Sequence, residues 1–170
     1  MVKKNLVLLG MMAVGKTTLG KIVAINQGLE FIDTDTAIEK KNSMTIKQIF
    51  EEKGEKFFRM QEKKEVLKIL KKKNCVIALG GGAFMDKEIR ANVLKNSISV
   101  WLDADIKVLN KRSKWNKKRP LLNRENNFDK IKGLYSERKN IYKLSDHKIS
   151  CDGIAKKDIA KKIATIYEKY

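Results

Sequence analysis

Gly10-Met11-Met12-Ala13-Val14-Gly15-Lys16-Thr17 has the spacing G-x-x-x-x-G-K-[ST] and stands between an apolar run and a helical pattern. Phosphate binding needs that placement. Backbone N–H groups of the loop and of the helix N-terminus converge on phosphate oxygens, the lysine reaches the β- and γ-phosphates, and the threonine hydroxyl holds Mg²⁺. The motif points to a nucleoside triphosphate bound by Gly10, Ala13, Val14, Gly15, Lys16, Thr17 and Thr18. It leaves the phosphoryl acceptor open.

Such a loop also needs an acid near the metal. Asp33 and Asp103 each end an apolar run. Asp33 is assigned to the metal environment, acting through water, because Mg²⁺ usually keeps several of its waters. Asp103 is read as a helix N-cap. Asp33-Thr34-Asp35 places carboxylates two residues apart, on one face if a strand continues through them. One then serves the metal while Asp35 positions or deprotonates an attacking hydroxyl.

Gly80-Gly81-Gly82 follows the apolar run Cys75 to Leu79 directly. Glycines at the C-terminal end of a parallel strand remove side chains where ligands bind in open α/β sheets, so backbone can approach an anion or a polyol. Of the 38 basic residues, 32 are lysine and 6 arginine. Arg59, Arg119 and Arg138 stand out among the arginines, since a planar guanidinium suits carboxylate and phosphate, and one on a closing loop can neutralise charge during phosphoryl transfer.

These residues must be held by elements, and the pattern supplies them. Short apolar runs at Asn5–Leu9, Leu29–Ile32, Cys75–Leu79, Ile98–Leu102 and His147–Cys151 read as strands. Between them lie helical patterns: Gly15 to Gln27 with Gly28 as a stop, a segment opened by the capping box Thr45-Ile46-Lys47-Gln48 and broken at Gly54, one over Asn127–Leu144, and a closing helix over Ile154–Tyr167. Strands alternating with helices imply an α/β fold with a largely parallel sheet in one domain over residues 1–170. Lys111 to Asn127 lacks periodicity, holds the only proline and is expected to form a long mobile loop.

Composition sets limits on function. Of 170 residues, 42% are hydrophobic and 34% charged, which excludes a disordered tail and a disulfide scaffold. No apolar run approaches the roughly 20 residues that cross a bilayer, and the N-terminus is too briefly apolar for a signal peptide. Cys75 and Cys151 read as reduced, buried thiols of a cytoplasmic protein. The formal charge of +18 raises the question of nucleic acid, but no recognised nucleic-acid module is present and arginines are few. His147, Phe57-Phe58 and Trp101 read as structural residues.

Taken together and in order, the P-loop Gly10 to Thr18, Asp33-Thr34-Asp35, Phe58-Arg59 with Glu62, Gly80-Gly81-Gly82, Arg119-Pro120-Leu121-Leu122 and Arg138 resemble shikimate kinase over nearly the whole chain. The resemblance implies a three-layer α/β/α sandwich of P-loop kinase type, with five parallel strands in the order 2-3-1-4-5. It also implies ATP and Mg²⁺ as co-substrate and cofactor and shikimate as acceptor; with no coiled coil or apolar dimer face in the sequence a monomer is expected, without nucleic-acid or membrane partner. Lys16, Asp35 and Arg119 would be catalytic, with Arg119 also on ATP. Thr17 and Asp33 would serve the metal. Asp35, Arg59, Gly80, Gly81, Gly82 and Arg138 would bind shikimate, in a substrate region over about 34–62, under a lid over about 111–127. The chain departs from the family in carrying Ala13 where glycine is usual, and in offering no arginine within Ser150 to Ile154 for the adenine.

Overall fold

The computed structural model describes residues 4–113 and 127–170. In chain order the elements are β1 (Asn5–Leu9), α1 (Lys16–Gln27), β2 (Glu30–Asp33), α2 (Thr34–Asn42), α3 (Ile46–Ile69), β3 (Cys75–Ala78), α4 (Lys87–Asn96), β4 (Ser97–Asp103), α5 (Ile106–Ser113), α6 (Asn127–Tyr142), β5 (His147–Ser150) and α7 (Lys156–Glu168). A short 3-10 turn covers Ala83–Met85. The strands form one five-stranded sheet in the order β2-β3-β1-β4-β5, and every pairing is parallel. The expected architecture and strand order are observed.

Central position explains the composition of the strands. β1 lies between β3 and β4, with Val7 opposite Ile77 on one side and Ser99 on the other, and all five of its residues are buried. A strand covered by helices on both faces reads as a continuous apolar run, which is why Leu6-Val7-Leu8-Leu9 shows no alternation. α1 packs on α7 and on β3, and α4 packs on β4. Because all strands point the same way, their C-terminal ends share one edge: Gly10 after β1, Asp33 on β2, Leu79 and Gly80 after β3. Chain connections leave β1 toward β2 but leave β3 toward β4, so the crevice between β1 and β3 is the topological switch point where ligands bind.

A second apolar cluster lies apart from the main core. Ile38 on α2 and Ile49 and Phe58 on α3 are buried together, with Met44, Ile46, Phe50 and Phe57 packed around them. The capping box starting α3 is complete: Gln48 N donates to Thr45 Oγ1 at 3.2 Å and Thr45 N to Gln48 Oε1 at 2.8 Å. Gly54 interrupts α3 at φ 80 and ψ 167, a conformation that glycine reaches without a Cβ clash. The break redirects the chain so that Phe58 enters this cluster and Arg59 leaves it on the side of the sheet edge.

Three expectations are corrected. The strand does not continue through Asp33-Thr34-Asp35: β2 ends at Asp33, whose Oδ1 caps α2 by accepting from Asp35 N at 3.1 Å and Thr36 N at 3.2 Å. Its short polar side chain satisfies helix N–H groups more effectively than a strand continuation would. Asp103 is not a helix cap but the last residue of β4, where its carboxylate accepts from the Tyr135 hydroxyl at 3.1 Å and pairs with Lys148 at 2.8 Å. Asp105 caps α5 instead, accepting from Lys107 N at 2.7 Å. Of the segment expected as a loop from Lys111 to Asn127, Lys111 to Ser113 belong to α5 and Asn127 opens α6; residues 114–126 lie outside the described ones.

Candidate active site

The nucleotide side is built by backbone. Gly10 adopts φ 136, and a Cβ there would collide with the Leu102 carbonyl of β4. Ala13 and Gly15 also lie at positive φ, 63 and 108. Alternation of left- and right-handed residues turns successive N–H groups toward one point, the anion-binding concavity expected of this loop. Met11, Met12 and Val14 are buried beneath it, anchoring the loop from below. Lys16, itself buried, donates from Nζ to the Gly10 and Met11 carbonyls, both at 2.9 Å, which arches its ammonium over the loop.

Thr17 and Asp33 meet beside this loop. The Thr17 hydroxyl donates to Asp33 Oδ2 at 2.7 Å, while Asp33 Oδ1 holds the start of α2. A hydroxyl and a carboxylate oxygen at hydrogen-bond distance are hard donors of the kind Mg²⁺ accepts, and that ion commonly takes only one or two protein carboxylates beside phosphate and water. Among the described residues no group of three or more His, Cys, Asp or Glu is arranged to hold a metal. The donor set therefore fits a nucleotide-borne Mg²⁺ rather than an all-protein cage.

The other side of the crevice is built by side chains around bare backbone. A Cβ on Gly80 would stand 2.5 Å from Asp35 Oδ1 and 3.0 Å from Glu62 Oε1. One on Gly82 would stand 2.5 Å from Arg59 Nη1, and one on Gly81 3.3 Å from Arg138 Nη1. None of the three is at positive φ, so glycine supplies space here, not backbone freedom. Gly80 N donates to the buried Thr34 hydroxyl at 2.9 Å, which ties this loop to the residue between the two aspartates.

Charge is concentrated where water is scarce. Arg59 donates to Glu62 at 2.7 Å and to Glu55 at 3.2 Å, with its guanidinium 5.1 Å from the Phe58 ring centroid. Glu62 and Arg138 are only 3% and 6% exposed, so neither can rely on solvent. Burial raises the Glu62 carboxyl above its ordinary range, against the lowering influence of Arg59 and, more weakly, Arg138. For Arg59, burial works to lower the pKa but is outweighed by Glu62 and Glu55, so the net shift is upward. Two arginines and two carboxylates thus share one partly dehydrated cluster.

A cavity of about 410 Å³ joins the halves; its lining includes Ala13, Gly15, Lys16, Thr17 and Thr18 from the loop side and Asp33, Asp35 and Gly81 from the other. The structure thereby brings together the sequence-derived residues Gly10, Ala13, Val14, Gly15, Lys16, Thr17, Thr18, Asp33, Asp35, Arg59, Gly80, Gly81, Gly82 and Arg138 along one sheet edge. Arg119 lies outside the described residues. Arg112 joins the lining unannounced, with Nη1 donating to the Val14 carbonyl at 3.4 Å. Nothing in its flanking sequence distinguishes it from surface arginine. Glu62 carries a signal, its i,i+3 spacing from Arg59, but spacing alone does not show that it is buried.

The shikimate kinase sequence profile matches residues 12–168. The chain belongs to the shikimate kinase family. A shikimate kinase of Thermoanaerobacter pseudethanolicus is 40% identical over 164 residues, 96% of each chain. The shikimate kinase of Acinetobacter baumannii, solved in complex with shikimate, superposes with a TM-score of 0.94 at 34% identity, over 98% of this chain and 94% of that one. That of Aquifex aeolicus gives 0.84 at 32% identity, over 97% and 96%. Membership in the shikimate kinases makes the protein an ATP-dependent kinase with an alcohol acceptor. No helix among the described residues is long and apolar enough to cross a membrane.

Proposed function

We propose that the protein transfers the γ-phosphoryl group of ATP to the 3-hydroxyl of shikimate, giving 3-phosphoshikimate and ADP on the route to chorismate and the aromatic amino acids. The observation that carries the reading is the convergence of Asp35, Arg59 and Arg138 on the side-chain-free Gly80–Gly82 loop, with Asp35 and Gly81 lining the same cavity as Lys16. An acceptor that is both a carboxylate and a polyol matches these groups. Arg59 and Arg138 supply planar, fixed donors to the carboxylate, and Asp35 accepts from hydroxyls.

The transferred group moves in line from the β-phosphate oxygen to the acceptor oxygen: the new P–O bond forms as the old one breaks, and ADP departs. Catalysis of this step is chiefly positioning and charge stabilisation. Asp35 orients the 3-hydroxyl and takes its proton. Lys16 exchanges its carbonyl partners at Gly10 and Met11 for the β- and γ-phosphates, and loop N–H groups hold the same oxygens. Thr17 and Asp33 would hold Mg²⁺, which when bound neutralises charge shared between the phosphates. Arg112, which donates to the Val14 carbonyl, faces the nucleotide from the P-loop side. Arg119 belongs to the proposal through its sequence pattern alone, as the lid cation that closes on ATP and excludes water.

The same proposal takes residues 1–170 as one kinase domain, acting as a monomer in the cytoplasm with no nucleic-acid partner. ADP release coupled to an optical readout, with ATP, Mg²⁺ and shikimate, tests it. Turnover that depends on shikimate is expected; ordinary ATP binding without any shikimate-dependent turnover would refute it.

A further inference from the structure

Tyr142 ends α6 one helical turn after Arg138, and none of its surface is exposed. A phenol placed so deeply must find partners for its hydroxyl or bear a desolvation penalty. Tyr142 finds them on both sides of the site. Its hydroxyl donates to the Gly81 carbonyl and lies 3.9 Å from Met11 Sδ in the P-loop. Arg138 approaches the same glycine, its Nη1 lying 3.3 Å from where a Cβ on Gly81 would stand. Its ring is fixed by Trp101 of β4 at a centroid distance of 5.9 Å. Arg138 and Tyr142, one turn apart on α6, thus meet the Gly81 backbone side by side, the tyrosine through a hydrogen bond. Burial pushes the phenol up to about 12, so the hydroxyl keeps its proton, and its donor role, at any working pH.

This arrangement answers a question that the active site leaves open. Arg138 comes from α6, Gly81 from the loop after β3, and neither element dictates the other's position. A planar guanidinium on a long side chain would otherwise sample several rotamers, and ordering it on binding would weaken the complex. We infer that Tyr142 is a positioning residue for the acceptor: its hydroxyl ties α6 to the Gly81 carbonyl and so fixes where the Arg138 guanidinium stands before any acceptor arrives. The inference rests on the reading of Arg138 as the carboxylate ligand.

Tyr142→Phe removes the hydroxyl and keeps the ring. It is expected to raise KM for shikimate about tenfold while KM for ATP changes less than twofold, the tenfold corresponding to about 1.4 kcal/mol. In an Arg138→Ala background the same substitution should add nothing to KM for shikimate, because the residue it positions is gone. Additive effects there, or equal effects on both substrates in the single variant, would overturn the inference and leave Tyr142 a plain core residue. A measurement without acceptor separates this inference from the substrate reading. In ¹⁵N spectra of the free protein the Arg138 side-chain signals should be sharp in the wild type and broadened in Tyr142→Phe. Identical signals in the two proteins would refute preorganisation, whatever the substrate. Absence of wild-type turnover with shikimate would refute the substrate reading and leave the spectral result to stand by itself.

Discussion

The two walls of the crevice solve opposite problems. The P-loop wall is one continuous stretch, Gly10 to Thr18, whose geometry is set by backbone conformation, and its lysine rests on the loop's own carbonyls. The opposite wall is gathered from four places: Asp35 at the start of α2, Arg59 and Glu62 on α3, Gly80–Gly82 after β3, and Arg138 on α6. A triphosphate offers many equivalent oxygens, and repeated N–H groups suffice to hold it. A small hydroxylated acid must be held at separate points around its ring, which takes side chains of different kinds approaching from different directions. The P-loop wall is therefore local, whereas the proposed acceptor wall is non-local and closely packed.

Breaking the first wall at its single buried cation should have the largest effect. Lys16→Ala is expected to lower kcat by about 10²–10³-fold, the scale seen when a donor to developing charge is removed. Steady-state ADP release would check it, with shikimate affinity nearly unchanged. The acceptor wall should respond to volume instead. Gly82→Ala puts a methyl group 2.5 Å from Arg59 Nη1, and displacing the guanidinium at roughly 1–3 kcal/mol of overpacking should raise KM for shikimate about tenfold with little change for ATP. A matching rise in KM for ATP would show that the walls are not independent.

A smaller effect concerns the buried carboxylate. Glu62 has a folded pKa above its unfolded value, so between those two values the native state binds more protons than the unfolded chain. Its contribution to stability is therefore lost as pH rises through that window, the reverse of the usual surface carboxylate. Urea unfolding across the acid range should show this slope in the wild type and a flatter one in Glu62→Gln. A variant with an unchanged slope would remove Glu62 as its source. The smallest effect belongs to the loop. Ala13 at φ 63 carries left-handed strain of about 1–2 kcal/mol, partly offset because glycine loses more entropy on folding. Ala13→Gly should stabilise the protein by about 0.5–1 kcal/mol in the same assay.

The contrast between the walls also explains what the sequence made legible. The P-loop could be read outright, because a contiguous motif encodes a contiguous structure. The sheet followed too, since buried parallel strands are short apolar runs with breakers between them. What stayed hidden depends on contacts between distant segments. Asp103 resembles a cap in sequence, and only the approach of Tyr135 and Lys148 shows it to be a strand-end acceptor. The α2 helix was not anticipated because Asp33 both ends a strand and caps a helix, two roles without a gap between them. Tyr142 looks like ordinary core until the Gly81 carbonyl is seen on its hydroxyl. The triple glycine was visible as a feature, but its reason, four polar side chains approaching the space that Cβ atoms would fill, requires the fold.

The central claim is that Arg138 belongs to the acceptor wall and holds the shikimate carboxylate. Steady-state kinetics of Arg138→Ala test it most directly. Loss of a charge-assisted bidentate contact should raise KM for shikimate about 100-fold, equivalent to about 2.7 kcal/mol, while KM for ATP stays within about twofold. An equal rise for both substrates would contradict the account.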